Sequence, residues 1–242
     1  MTLSDSNRTL KLSRRPSLSL EAAKRLREAI MDGTLAQGQH LPEIGTAKEM
    51  GISRGPLREA FKTLATEGLL EIRQERGVFV ASHEPAEIEQ MVVARAVMEG
   101  MGARLFVLHA TARDRDTIRE LVGSMDEASA RQNSRSWREI DWKFHEAMMK
   151  GSGNRFLLSS WKNLGTLFRL YMMRLNPLYD QERSRVLETH QRMAQVLLAN
   201  DPDMAEHLFR AVIVTSGFQV LGKRAPEGLT DTSILSMGQD GA

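Results

Sequence analysis

The 242 residues include no cysteine, which excludes disulfides and thiolate metal sites and fits a reducing compartment. No apolar run approaches the roughly 18 residues that cross a bilayer. Met1 to Arg15 is polar and basic, without the apolar stretch of a secretory signal. These absences predict a cytoplasmic protein with no membrane partner and a disordered N-terminal arm over residues 1–16. There is no Gly-rich phosphate loop, no Ser/His/Asp set that can be placed on one site, and no internal repeat, all of which speak against an enzyme. Charge of one sign is also lacking. The formal net charge is +2, and the small basic excess falls within residues 1–82. A solvated mixed-charge surface explains that excess as well as a nucleic-acid partner does.

What is present begins with helical periodicity. Leu20, Ala23, Leu26 and Ile30 share one face of a helix from Ser19 to about Met31, with Ser19 the expected N-cap and Asp32-Gly33 the stop. Leu41-Pro42 opens a short second helix, Glu43 to Met50, closed by Gly51. Then comes Gly51-Ile52-Ser53-Arg54-Gly55-Pro56-Leu57-Arg58-Glu59-Ala60-Phe61, a tight turn feeding a third helix with a hydroxyl and two arginines near its N-terminal end. Pro56 is tolerable only in a first turn. Leu57, Phe61 and Leu64 form the buried stripe. A helix tip of this kind suits a DNA major groove, where arginine pairs bidentately with guanine. Two short strand-like runs follow, Leu70–Gln74 and Val78–Ala81, joined by Glu75-Arg76-Gly77. Three helices and a hairpin outline a winged helix-turn-helix over residues 17–82.

Ser82-His83-Glu84-Pro85 breaks the pattern, and residues 83–87 read as a linker. From there to about Gly222 only helical periodicity is visible. Helices are expected near 86–110, 114–132, 135–150, 154–175, 180–200 and 202–222, an antiparallel all-α bundle of about six helices within a domain over 88–224. All three tryptophans fall in it. Residues 225–242 are polar and read as a flexible tail. The fold class is therefore mainly α, with a small β-hairpin wing.

Two bundle helices carry polar residues inside apolar stripes. Trp137, Asp141, Phe144 and Met148 share one face, with His145 four residues after Asp141. Val186, His190, Met193 and Leu197 share another. A buried carboxylate is costly unless paired or metal-bound. One Asp and two His are a competent set for Zn, Ni, Mn or Fe, and a buried hydrogen-bonded Asp–His pair without metal is the plainer reading. The Met148, Met149, Met172, Met173 and Met193 stripe reads as core packing. Arg95 lies with Val92 and Glu99 on one side of an otherwise apolar helix, an inward cation open to a ligand. An ordinary i,i+4 pair of Arg95 with Glu99 is the alternative.

The helix order, Ser-Arg-Gly-Pro-Leu-Arg-Glu-Ala, Glu-Gly-Leu-Leu and the Gly-tipped hairpin resemble the DNA-binding domain of the GntR family of bacterial transcription regulators. Arg95, Glu99, Asp141-Trp142-Lys143-Phe144-His145, Gly151 to Asn154, and Glu188-Thr189-His190 resemble the FCD domain of its FadR subfamily. The resemblance implies a homodimer on a palindromic operator in double-stranded DNA, probed by Ser53, Arg54, Gly55 and Arg58 of the recognition helix. Arg76 and the tip glycine Gly77 of the wing would reach the minor groove. It implies a repressor that answers a small organic or sugar acid, with Arg95 the leading contact ahead of Arg169 and Tyr171, and a candidate divalent metal site at Asp141, His145 and His190. It also places Val212 where metal-binding relatives carry a further histidine, while His207 lies too far around the helix to substitute. Ile44, Gly45 and Thr46 depart from the family's second helix. A constitutive DNA-binding dimer and a metalloenzyme with an accessory basic domain are the competing functions.

Overall fold

In the computed structural model the described residues are 17–131, 134–175 and 183–235, and they divide into two compact units that meet at residues 81 and 82. The predicted disordered arm, residues 1–16, lies outside the described residues.

The first unit holds α1 (Leu18–Asp32), β1 (His40–Leu41), α2 (Glu43–Glu49), α3 (Arg54–Thr66), β2 (Leu70–Arg73) and β3 (Gly77–Val80). The N-cap of α1 is Ser17 and not Ser19, because the Ser17 hydroxyl accepts the Leu20 N–H at 3.3 Å from an extended backbone. Gly33, in the left-handed region, ends the helix. Ala22, Ala23, Leu26 and Ile30 of α1 pack on Leu57, Ala60, Phe61 and Leu64 of α3, all buried. The Arg27 guanidinium grips the Glu67 carboxylate through two hydrogen bonds, 2.8 and 2.5 Å, across the α1–α3 seam. The antiparallel sheet runs β1-β3-β2, so the hairpin gains an edge strand that the sequence pattern did not reveal. A two-residue strand leaves no periodicity to read.

The second unit holds α4 (Pro85–His109), α5 (Ala112–Ala130), α6 (Ser134–Gly151), α7 (Arg155–Leu175), α8 (Arg183–Leu198) and α9 (Pro202–Val220). Helix α4 starts inside the expected linker, because Pro85 suits a first turn and Glu87 reaches back to the Glu84 N–H at 2.9 Å. Thr111 and Asp114 cap α5 reciprocally, and Asp201 caps α9. Helices α4 and α9 form the most extensive pairing. Gly217 permits their approach, since a Cβ there would lie 2.5 Å from the Val92 side chain. Phe106, Ile118, Met125, Phe144, Met148, Met193, Leu197 and Phe209 fill the centre. Met148, Met149 and Met193 are core residues, as the stripe predicts; the side chains of Met172 and Met173 lie outside the described ones.

The tail departs from expectation. Thr232–Leu235 forms a 3-10 turn against α9, Ile234 is buried in the main core, and the Arg192 guanidinium donates to the carbonyls of Ile234 and Leu235. The predicted flexible tail is therefore docked at least as far as residue 235. The signal was the apolar pair Ile234-Leu235 in a polar stretch. Ile234→Ala should lower unfolding stability by about 2 kcal/mol or more, the usual cost of truncating a buried aliphatic chain. Urea denaturation of the two proteins checks this; equal midpoints would return the tail to solvent.

Candidate functional site

The first candidate surface is the tip of α3. The turn at Gly51, φ +64, swings the chain from α2 into α3. Ser53 occupies the N-cap position, yet its hydroxyl makes no capping bond and stays available. Arg54 is exposed and has no ion pair or hydrogen bond among the described residues, and Gly55 beside it has open space where a Cβ would stand. Arg58, one turn on, is tied by its Nε to the Glu43 carboxylate at 2.8 Å. That pair joins α2 to α3, and neither Glu59 nor Glu67 holds Arg58: Glu59 pairs with Lys62, and Glu67 with Arg27. Arg58 still shows 56% of its side chain to solvent. Ile44, on α2, is 71% exposed.

The wing differs from its expected form in one respect. The loop is Gln74-Glu75-Arg76, and Gly77 is the first residue of β3, paired with Arg73. The tip is thus Glu75, in the left-handed region at φ +62, with exposed Arg76 beside it. Gly77 has φ +98, and a Cβ there would meet the His40 Nε2 at 2.7 Å. A glycine suits this left-handed backbone position at the close of the hairpin loop.

The second candidate lies inside the helical unit. Asp141 and His145 on α6 and His190 on α8 bring one carboxylate oxygen and two imidazole nitrogens within 4.8 Å of one another. Both histidines are buried. The His190 Nε2 lies 2.8 Å from Asp141 Oδ1 and the His145 Nε2 lies 3.8 Å from it. The His190 Nδ1 donates to the Val186 carbonyl at 2.8 Å, which places its proton there, since a carbonyl can only accept. In the neutral ring the Nε2 lone pair then faces a carboxylate. A cation has to share that space, as a second proton on His190 or as a metal ion. The 2.8 Å approach is poorly aligned for a hydrogen bond, so Asp141 Oδ1 and His190 Nε2 remain buried without one. Burial pushes the Asp141 carboxyl up, but the adjacent His190 and the charges of His145 and Arg95 hold it below its usual range. Burial likewise lowers His190, and its short contact with Asp141 outweighs this and raises it.

The residue missed in the sequence is Glu99. Its side chain is fully buried and sits behind His145, with Oε2 2.7 Å from Nδ1. Its Oε1 accepts from the Arg95 Nε at 2.5 Å and from the Trp161 indole N–H at 2.7 Å. Burial raises this carboxyl, and the Arg95 and His145 charges with three donors overcome that, leaving it at about 2. Its spacing from Arg95 was visible, but its meeting with α6 and α7 was not. Arg95 is buried, pairs with Glu99 as the plainer alternative held, and lies with its guanidinium 4.2 Å over the Phe168 ring. The side chains of Arg169 and Tyr171, the other two expected ligand contacts, lie outside the described ones. Trp137 stands edge-on to His190 at 6.0 Å, and Phe144 and Phe209 wall the histidines at 5.3 and 6.4 Å. Val212 is buried in that same core, and three residues on, the Thr215 hydroxyl is buried without a partner. His207 is exposed and does not replace a ligand at 212.

Arg95→Met should leave the Glu99 carboxylate buried and uncompensated. Loss of one partner of a buried pair costs about 3–5 kcal/mol. Urea unfolding reads this directly, and a loss near zero would mean that Glu99 is held by His145 and Trp161 alone.

Comparison with known proteins identifies both units. Residues 18–80 match the model of bacterial regulatory proteins of the gntR family, and residues 90–215 match that of the FCD domain. The chain is 28% identical over 178 residues, 74% of its length and 77% of the relative's, to the "Probable D-xylose utilization operon transcriptional repressor" of Paenarthrobacter nicotinovorans. It is 25% identical over 200 residues, 78% of its length and 79% of the relative's, to the "Gluconate operon transcriptional repressor" of Bacillus licheniformis. A GntR-type transcriptional regulator from Rhodococcus sp. RHA1 shares the fold, with TM-score 0.71 and 24% identity over 86% of this chain and 99% of that one. A winged helix-turn-helix, a helical unit with an Asp–His–His cluster, and these two matches together place the chain in the GntR family of transcription regulators, in the branch that carries an FCD domain.

Proposed function

We propose that this regulator is a homodimeric repressor whose helical unit binds a small carboxylate, an organic or sugar acid, beside a divalent metal ion, and whose winged units release a palindromic operator when it does so. The observation that carries the reading is that Asp141, His145 and His190 bring one ligand atom each within 4.8 Å of one another, with Asp141 Oδ1 and His190 Nε2 buried without a hydrogen-bond partner. A divalent cation satisfies all three at once. Asp141, His145 and His190 would hold it. Bound there, it supplies an anion-binding charge in an apolar interior. The positive charge of Arg95, close enough to lower the Asp141 carboxyl, adds to it. Val212 occupies the position from which the resemblance leads one to expect a fourth ligand, so the metal keeps an open place for an acid's carboxylate or a water. A relative named for a gluconate operon is in keeping with an acid of this kind.

On the DNA side, the exposed Arg54 and the free Ser53 hydroxyl open the recognition helix, with Gly55 giving close approach and Arg58 following one turn later. Arg54 reads a base edge, Ser53 takes a phosphate, and Arg76 of the wing reaches the minor groove. Dimerisation is supported by an apolar stripe on α4: Val97, Met101 and Leu108 are exposed at 51%, 39% and 55%, and Phe156 at the start of α7 is exposed at 69%. Stripes this apolar on a surface helix are characteristic of association. The effector would act by binding one separation of the two winged units better than another, a coupling of about 1–3 kcal/mol.

Arg54→Ala should weaken specific operator binding by about 1–3 kcal/mol and relax preference at one base pair in each half-site. Gel-shift titration against operator variants checks it, and an unchanged preference would assign the base contact elsewhere. Val212→His should raise metal retention through dialysis, read by elemental analysis; equal retention would contradict a three-ligand cavity facing position 212. A gel-shift series with sugar acids separates the responsive repressor from a constitutive DNA-binding dimer, in which no acid alters operator affinity.

A further inference from the structure

We propose that Glu99 is the positioning residue of the metal centre: it holds the proton of His145 on Nδ1 and so keeps the Nε2 lone pair turned toward Asp141 and His190. The inference rests on the metal reading above. It begins from an accounting of the Glu99 oxygens. Oε1 accepts from Arg95 and from Trp161, at 2.5 and 2.7 Å. Oε2 is buried and has no aligned hydrogen bond, and the His145 Nδ1 stands 2.7 Å from it. A fully buried carboxylate oxygen needs a donor. Two lone pairs at that distance repel, so the proton belongs on Nδ1. The Nε2 is farther from any carboxylate, 3.8 Å from Asp141, and is left as the acceptor.

His190 reaches the same state by another route, through the Val186 carbonyl. One imidazole is therefore set by a backbone acceptor within its own helix, and the other by a carboxylate from α4. A metal-ligating histidine ordinarily gives its second N–H to such an acceptor, which orients the ring and raises its basicity. Glu99 is itself clamped from two sides. Trp161 on α7 donates to it and stacks on Trp142 at 4.5 Å, and Arg95 lies one turn before it on α4. Residues of α4 and α7 thus hold one oxygen of the carboxylate whose other oxygen faces His145.

Glu99→Gln makes the test sharp because an amide has one acceptor and one donor end. If its oxygen stays with Arg95 and Trp161, its NH2 faces His145 Nδ1, which must then accept. The proton moves to Nε2 and blocks the ligand position. The opposite amide orientation sets the NH2 against a guanidinium and an indole N–H.

The experiment uses the full-length protein with cobalt(II) as the metal, followed by its visible absorption, and nitrogen-15 NMR of the imidazoles in the metal-free protein well above their titration. Wild type should show the His145 proton on Nδ1, and E99Q should show it on Nε2, with cobalt affinity lower by about tenfold or more. Trp161→Phe, which removes one donor and keeps the ring, should retain the Nδ1 tautomer. A His145 proton on Nε2 in wild type, or E99Q with wild-type cobalt affinity, overturns the inference. If wild type takes up no cobalt, the metal reading fails, and the wild-type tautomer still decides the part assigned to Glu99. Should E99Q not fold, that same measurement decides it.

Discussion

Mutual repulsion among buried acceptors is the constraint on which the helical unit turns. A carboxylate and two imidazole nitrogens meet in an interior walled by Trp137, Phe144, Phe209 and Val212, where water screens them weakly. Such an arrangement is tolerable only with positive charge in it. The surrounding chain supplies some: Arg95 lies near enough to favour the ionised Asp141, and Glu99 in turn neutralises Arg95 in part. The remainder has to come from a proton or a metal ion. An interior of this kind does not maximise stability; under the proposed function it would be a receptor in which the binding of a cation and an anion is mutually favoured.

The two units divide the labour according to what each interior contains. The winged unit has a wholly apolar core, with Ile30, Leu57, Phe61 and Leu64 almost without exposure. Its charge is at the surface, where Arg27–Glu67 and Arg58–Glu43 pin the helices together and Arg54 is left unpaired at the α3 tip. It is a rigid presenter of a guanidinium. The helical unit instead places its ionised groups at the centre, on α4, α6 and α8, so that occupancy of one point bears on three helices at once. Coupling between such units is reciprocal: whatever acid weakens the operator complex is itself bound less tightly when the operator is present.

Much of this was legible in residue order. The α6 and α8 stripes, read at 3.6 residues per turn, correctly place Asp141, His145 and His190 on inward faces. The helices expected near 135–150, 154–175 and 202–222 agree within two residues with Ser134–Gly151, Arg155–Leu175 and Pro202–Val220. What was not legible has identifiable causes. β1 is two residues long, too short to leave a periodicity in the sequence. Glu99 reads in one dimension as the partner of Arg95, and its approach to His145 and Trp161 depends on how three helices pack. Ile234 lies beyond the last periodic helix, and its burial is secured by Arg192, more than 40 residues earlier in the chain. Ser17 and Ser19 are equivalent by composition, and backbone geometry alone chooses between them.

The most direct measurement is anomalous X-ray scattering from crystals of the protein prepared without chelators, recorded on both sides of the zinc, nickel, iron and manganese edges. The account predicts one peak per chain, at bonding distance from Asp141 Oδ1, His145 Nε2 and His190 Nε2. Interiors without anomalous density, with His190 realigned into an in-line hydrogen bond to Asp141, would contradict it: the cluster would then be a buried ion pair, and the cation it needs would be a proton.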